Sequence, residues 1–317
     1  MAQVVSDRRA VSVIGRRGTG RRFLTADGTA LHVDESGPAG ARLTVALVHA
    51  WTQDHTEWAP ILPLLPPDVR VLRYDHRGHG GSAAARPGTA TIPQLADDLA
   101  ELLAARVPHG PVVLAGHSLG GMTVMALAER HPGLVRERVR GVAFIATSCS
   151  DMDRLTLGLS GAAGRAAIRA DKALARTLSR YRKEFVPIPA VLARPATKWI
   201  AFGKKADRAD VRAMTAQVLR AHPSSIGGFR DSISQHDRRA ALATLAGKPS
   251  VVLVGDRDRI TPVRHAKVIA EELPGAKFVL FPGAGHELTY ERTRGVAARL
   301  SELCAVTEPR IRSASAS

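Results

Sequence analysis

Gly116-His117-Ser118-Leu119-Gly120 sets a serine between two glycines. The apolar run 112–115 precedes it and a helical segment from Met122 follows, the strand–turn–helix setting in which G-x-S-x-G presents a nucleophile. The turn has to be sharp, so a side chain at 116 or 120 is expected to collide with its neighbours. The hydroxyl then stands clear of the sheet, at a helix N-terminus whose dipole favours nearby negative charge. A serine hydroxyl is a poor nucleophile and needs a base. In this setting the chain order is serine, acid, histidine. His286 is the last histidine of the chain, in Pro282-Gly283-Ala284-Gly285-His286-Glu287. It lies just past the run Lys277–Phe281, on a glycine-rich loop that can point an imidazole back across a sheet edge.

The acid should follow the preceding strand. Val251-Val252-Leu253-Val254 runs into Gly255-Asp256-Arg257-Asp258-Arg259-Ile260-Thr261-Pro262, where Asp256 and Asp258 compete. A buried carboxylate must accept the imidazole N–H, hold its tautomer and stabilise the imidazolium. Asp258 is favoured, being deeper in the loop; Asp256 is expected to cap or order the turn. An oxyanion hole needs two main-chain N–H donors. Leu119, next to the serine, supplies one, and Trp51 in His49-Ala50-Trp51 is assigned the other. Trp51, Met122 and His49 are expected to line the acyl pocket. No metal is expected: His76 and His79 flank Arg77-Gly78 without a third ligand at sensible spacing. Arg77 is expected to pin that turn through carbonyls. No cofactor is implied.

These residues must be held by a scaffold, and the chain alternates accordingly. Short β-branched runs at 43–49, 69–74, 112–115, 142–146, 251–254 and 277–281 read as buried parallel strands. Helical patterns separate them. One starts at Ile92 behind a Thr91 cap with Pro93 in its first turn, and another spans 122–130 before His131-Pro132-Gly133. The fold class is α/β, a mostly parallel, doubly wound sheet. Residues 151–235 break the rhythm with Ala/Leu/Arg-rich helical segments and read as a helical insertion. The expected organisation is a flexible Arg-rich arm (1–22), a core (23–150 and 236–306), a cap (151–235) and a disordered tail (307–317).

Composition sets the outer limits. The chain has 317 residues, 45 basic and 29 acidic, a net charge of +16. Only eight of the basic residues are lysine, and the 151–235 insertion alone carries sixteen basic against seven acidic side chains. No nucleic-acid motif or aromatic-interleaved basic stripe accompanies that charge, so no nucleic-acid partner is expected. The basic insertion instead suggests a substrate with a negative head, or peripheral contact with an anionic surface. No apolar run approaches membrane-spanning length. Cys149 and Cys304 are too few for a disulfide framework, so a reducing, cytoplasmic location is the default.

Five segments together resemble the α/β-hydrolase superfamily, in its esterase, lipase and lysophospholipase-like branch, which shades into cofactor-free haloperoxidases. They are His49-Ala50-Trp51, Tyr74-Asp75-His76-Arg77-Gly78-His79-Gly80-Gly81-Ser82, Gly116 to Gly120, Gly255-x-x-Asp258-x-x-x-Pro262 and Gly283-x-Gly285-His286. The resemblance implies that 151–235 is a lid and supports Asp258, because the family's acid typically sits three residues after that glycine. It implies a serine hydrolase cleaving carboxylic esters through an acyl-enzyme. Ser118, where epoxide- and halide-processing relatives carry Asp, favours acyl transfer. Thioester, lactone, perhydrolase or cyclase chemistry uses the same triad. A silent ligand-binding protein is the reading from another class. Ala50 alone speaks for it: the family usually has glycine there, and a methyl restricts the backbone beside the Trp51 amide.

Overall fold

The computed structural model describes residues 21–181, 183–184 and 188–314, with side chains described only as far as Thr307. The core elements run in chain order β1 (Arg21–Leu24), β2 (Ala30–Ser36), β3 (Thr44–Val48), β4 (Arg70–Tyr74), α1 (Ile92–Arg106), β5 (Val112–His117), α2 (Leu119–Arg130), α3 (Pro132–Arg138) and β6 (Val139–Ile145). Four helices of the 151–235 stretch follow: α4 (Gly161–Ser179), α5 (Ala190–Ala201), α6 (Arg208–Arg220) and α7 (Pro223–Ser234). The core then resumes with β7 (Ser250–Gly255), α8 (Val263–Glu272), β8 (Lys277–Phe281), α9 (Leu288–Glu291) and α10 (Thr293–Ala314).

The eight strands form one sheet in the order β1-β2-β4-β3-β5-β6-β7-β8. Strands β3 to β8 are parallel, while β1 with β2 and β2 with β4 are antiparallel. β3, β5 and β7 are buried at every position, as continuous Val/Leu runs covered on both faces should be. One face carries α1, α2 and α8 over Val48, Leu114, Phe144 and Val252. The other carries α10 and the 55–65 segment over Leu47, Val113, Ile145 and Leu253. Cys149 belongs to the first core and Cys304 to the second, so the sheet separates them.

All six expected strands form, with ends displaced by up to three residues. The β1–β2 hairpin was not expected: Ala30–Ser36 alternates buried apolar and polar positions, because only its inner face meets the core. The sheet also starts at Arg21, so the arm boundary at 22 is corrected; the rest of the arm, 1–20, lies outside the described residues. The tail boundary at 307 is corrected too. α10 continues to Ala314, anchored by Leu303 and Thr307, which sit over the bare Cα of Gly141. Residues 315–317 lie outside the described set.

The helical stretch 151–235 is tied to the rest of the chain at several points. The His222 N–H donates to the Gly78 carbonyl (2.9 Å), and the Ser225 and Ser232 hydroxyls accept from the amides of Ala85 and Ile92. Gln217 accepts from the Asp54 amide at 3.1 Å, and Arg220 pairs with Asp54.

Candidate active site

β5 delivers Ser118 at φ 51°, ψ −114°, a conformation sparsely populated by any residue with a side chain. The strain is held by hydrogen bonds. The Ser118 N–H donates to Ile145 O (2.9 Å), and its carbonyl accepts from Thr147 Oγ1 (2.7 Å) and the Gly121 amide (2.9 Å). The flanking glycines are obligatory. A Cβ at 116 would stand 2.5 Å from Gly120 C, and one at 120 would stand 2.0 Å from Val48 O. Leu119 opens α2, and its N–H, like that of Trp51, meets no acceptor among the described residues.

β7 and β8 end at the same sheet edge and deliver the other two groups. His286 Nδ1 lies 2.8 Å from Asp258 Oδ2. Both side chains are buried, Asp258 completely. Asp258 is saturated as an acceptor: Oδ1 takes the amides of Ile260 and Thr261, and Oδ2 takes Thr261 Oγ1 as well as the imidazole, each at 2.8 Å. An orienting carboxylate needs that fixed geometry. Asp256 is turned away. Its Oδ1 accepts from the Gly283 amide at 2.7 Å, so it orders the turn between the two loops. With Nδ1 committed to Asp258, Nε2 is the nitrogen on the far side of the His286 ring.

The loop carrying the serine and the loop carrying His286 touch. His117 Nε2 donates to the His286 carbonyl (3.0 Å), and the two rings lie 5.1 Å apart. His117 is fully buried, with Nδ1 3.4 Å from Glu57 Oε2. Burial opposes a charge on His117, but Glu57, Glu287 and the His286 carbonyl outweigh it and hold its pKa at about 9. The same Glu57 oxygen accepts from the Ala50 amide (3.2 Å), while the Ala50 carbonyl accepts from His49 Nδ1 (2.8 Å). The peptides entering Trp51 are therefore clamped on both sides. Glu287 is fully buried beside them and accepts from Gln53 Nε2 at 3.0 Å on each oxygen; burial pushes its pKa up to about 7. None of Glu57, His117, Gln53 or Glu287 was singled out from sequence. They lie up to 234 positions apart, and only the adjacency of His117 to Ser118 and of Glu287 to His286 pointed to them.

Three sequence expectations are corrected. His49 does not line a pocket: its Nε2 accepts from the His76 amide (2.8 Å), so both ring nitrogens are used within the protein. Met122 is 1% exposed and packs in the core beneath α2. Trp51 is the one expected lining residue that is half-exposed, and its indole N–H has no partner. Arg77 holds its turn through carboxylates, not carbonyls. It is bidentate to Asp98 (2.5 and 2.7 Å) and also binds Asp27 (2.7 Å).

Ala50 needs no glycine. It is absent from the positive-φ residues, and the left-handed residue of its loop is Thr52 (φ 67°). The donor types for a cation come together at His32, His55 and Asp75, within 4.8 Å of one another. There Asp75 already accepts the amide and ring of His55 (2.7 Å each) and the Gly81 amide (2.8 Å), which makes it the hub of the 75–82 turn.

A family model described as alpha/beta hydrolase fold matches residues 44–293. The chain belongs to the α/β-hydrolase fold family. Among its relatives, a pimeloyl-(acyl-carrier protein) methyl ester esterase of Aromatoleum aromaticum is 27% identical over 253 residues, 77% of this chain and 91% of the relative. One of Chromobacterium violaceum is 29% identical, covering 76% of this chain and 86% of the relative. Among solved structures, this α/β-hydrolase resembles a thermophilic esterase from Thermogutta terrifontis (TM-score 0.73, 23% identity, 91% of this chain and 98% of that one). It also resembles the enol-lactonase from Burkholderia xenovorans LB400 (TM-score 0.72, 22% identity, 90% and 100%). These last likenesses show the fold. Among the described residues of this α/β-hydrolase, no helix is long and apolar enough to cross a membrane.

Proposed function

We propose that this α/β-hydrolase is a serine hydrolase that cleaves carboxylic esters of small molecules through an acyl-enzyme. The observation that carries the reading is the buried His286–Asp258 pair at 2.8 Å, on loops that converge on the strained Ser118 elbow. The esterase relatives, similar over most of their length, support the same reaction class.

Ser118 Oγ attacks the acyl carbon while His286 Nε2 takes its proton. Asp258 accepts the Nδ1 proton in a hydrogen bond, fixes the tautomer and stabilises the imidazolium without being protonated itself. The carbonyl oxygen becomes an oxyanion in reach of the Leu119 and Trp51 amides, neither of which has an acceptor among the described residues to release first. His286 returns its proton to the leaving alcohol, leaving an acyl-Ser118 ester. A water that loses its proton to His286 then attacks that ester, and Ser118 regains its proton as the acid departs. The half-buried Trp51 ring borders the acyl group. The two cysteines, buried on opposite faces of the sheet, suit the reducing cytoplasm.

Pre-steady-state hydrolysis of p-nitrophenyl acetate tests this. A burst approaching one equivalent of p-nitrophenol, with acetyl on Ser118 after acid quench, is expected. Turnover unchanged in Ser118→Ala would overturn it.

A further inference from the structure

We infer that the outer side of the cap, built by α5 and the groove between α5 and α6, docks this protein on an anionic phospholipid surface. At about 100° per residue, Val191, Leu192, Pro195 and Trp199 fall within one arc of α5. That arc faces solvent: Val191 is 63% exposed, Leu192 69% and Trp199 43%. Side chains of this size are normally buried, and a row of them on one helix marks a surface that another apolar phase covers.

The edge of that arc is cationic. Arg194 and Lys198 follow it on the side facing α6, where they meet Arg208 and Arg212 across a groove of about 460 Å³ floored by Pro195, Ala206 and Val211. None of the four cations has an ion-pair partner among the described residues, and Arg194 Nε is buried without an acceptor. The chain has no acidic residue between Glu184 and Asp207, yet it carries Arg194, Lys198, Lys204 and Lys205 there. Asp207 is turned to its own helix, where it caps α6 through the Ala209 amide.

An apolar ridge flanked by unpaired cations matches a bilayer's two layers, acyl chains below and anionic headgroups above. Trp199 has the indole that favours that boundary, with the Arg259 guanidinium 5.3 Å over its ring. An acidic soluble partner would satisfy the cations but leave Val191 and Leu192 in water.

The surface is joined to the catalytic loop. The Ala201 carbonyl, at the end of α5, accepts the His286 amide at 2.7 Å, and Arg259 donates to the Trp199 carbonyl at 2.8 Å. Docking there sets the base loop directly behind the membrane contact, suited to an ester presented from the lipid.

Vesicle co-sedimentation tests this, with equal parts phosphatidylglycerol and phosphatidylcholine against phosphatidylcholine alone. The expected result is binding to the anionic vesicles that weakens with salt, with a blue shift in tryptophan emission lost in Trp199→Phe. Arg194→Gln with Lys198→Gln should weaken binding roughly 30-fold, and Leu192→Asp should abolish it. Hydrolysis of a soluble short-chain ester reports that these variants are folded. Equal binding to both vesicle types, or none to either, overturns the inference. So does a dimer in lipid-free solution that Leu192→Asp dissociates, because a second copy then covers the face. Vesicle binding by a protein that cleaves no ester would uphold the docking surface and refute the acyl-enzyme reading separately.

Discussion

His117 Nε2 stands 3.0 Å from the carbonyl oxygen of His286, and the two rings lie side by side. The residue before the proposed nucleophile thus holds the backbone of the proposed base. Behind it, Glu57 contacts His117 and accepts the amide of Ala50, one residue from the proposed oxyanion donor Trp51. One buried ion pair therefore fixes the spacing between three loops that meet nowhere in sequence.

Glu57→Gln should separate positioning from chemistry. It leaves the His117 imidazolium facing a neutral amide in a buried site, a loss of about 3–5 kcal/mol when a buried pair is broken. The protein should still fold, with a lowered Tm, while kcat falls about 10- to 100-fold and KM changes little. Steady-state kinetics with thermal unfolding checks this; an unchanged kcat would confine Glu57 to stability.

Stability should fall as pH rises. Burial lifts the Glu287 pKa from 4.5 to about 7 against the pull of His117 and His286. The native state then holds a proton that the unfolded chain has released. That stabilisation is complete below pH 4.5 and is lost through pH 7, at most about 1.4 kcal/mol per pH unit. His117 is raised from 6.5 to about 9, so its contribution is complete below 6.5 and lost through 9. Urea unfolding across this range should show both declines, and Glu287→Gln should remove the lower one and, by taking away one of the charges that raise His117, reduce the upper one in part.

The two aspartates should behave differently. Asp258→Asn offers His286 a donor where it needs an acceptor and should lower kcat by about 10⁴-fold. Asp256→Asn keeps an oxygen for the Gly283 amide and should change kcat less than about threefold. The reverse pattern would exchange their roles.

Gly120→Ala should fail to give stable protein, since its methyl would sit 2.0 Å from the Val48 carbonyl. Ala50→Gly should fold and lose roughly 1–2 kcal/mol, from unfolded-state entropy and the loss of a buried methyl. Chemical denaturation of Ala50→Gly, with soluble yield for Gly120→Ala, decides both.

The parallel strands were legible because burial on both faces leaves unbroken β-branched runs, as in Val251-Val252-Leu253-Val254. The β1–β2 hairpin was not, because its polar outer face breaks the run. Sharp turns need glycines, and that local imprint pointed to Ser118, Asp258 and His286 as candidates; of these, the contact between Asp258 and His286 is seen in the fold. Glu57 and Gln53 carry no such imprint, since their partners His117 and Glu287 are distant in sequence and the contact exists only after folding. His49 and Met122 were misplaced for a related reason. Nearness to the serine or to the oxyanion loop does not say whether a side chain points into the core, and both do.

The most direct test of the Ser118–His286–Asp258 unit is the rate of phosphonylation by a fluorophosphonate, followed by intact mass and peptide mapping. The expected result is stoichiometric modification of Ser118 in the native protein, absent in Ser118→Ala and slowed at least about 10³-fold in His286→Ala. Labelling of Ser118 at equal rates in native protein and His286→Ala, or no labelling of folded protein, would contradict it.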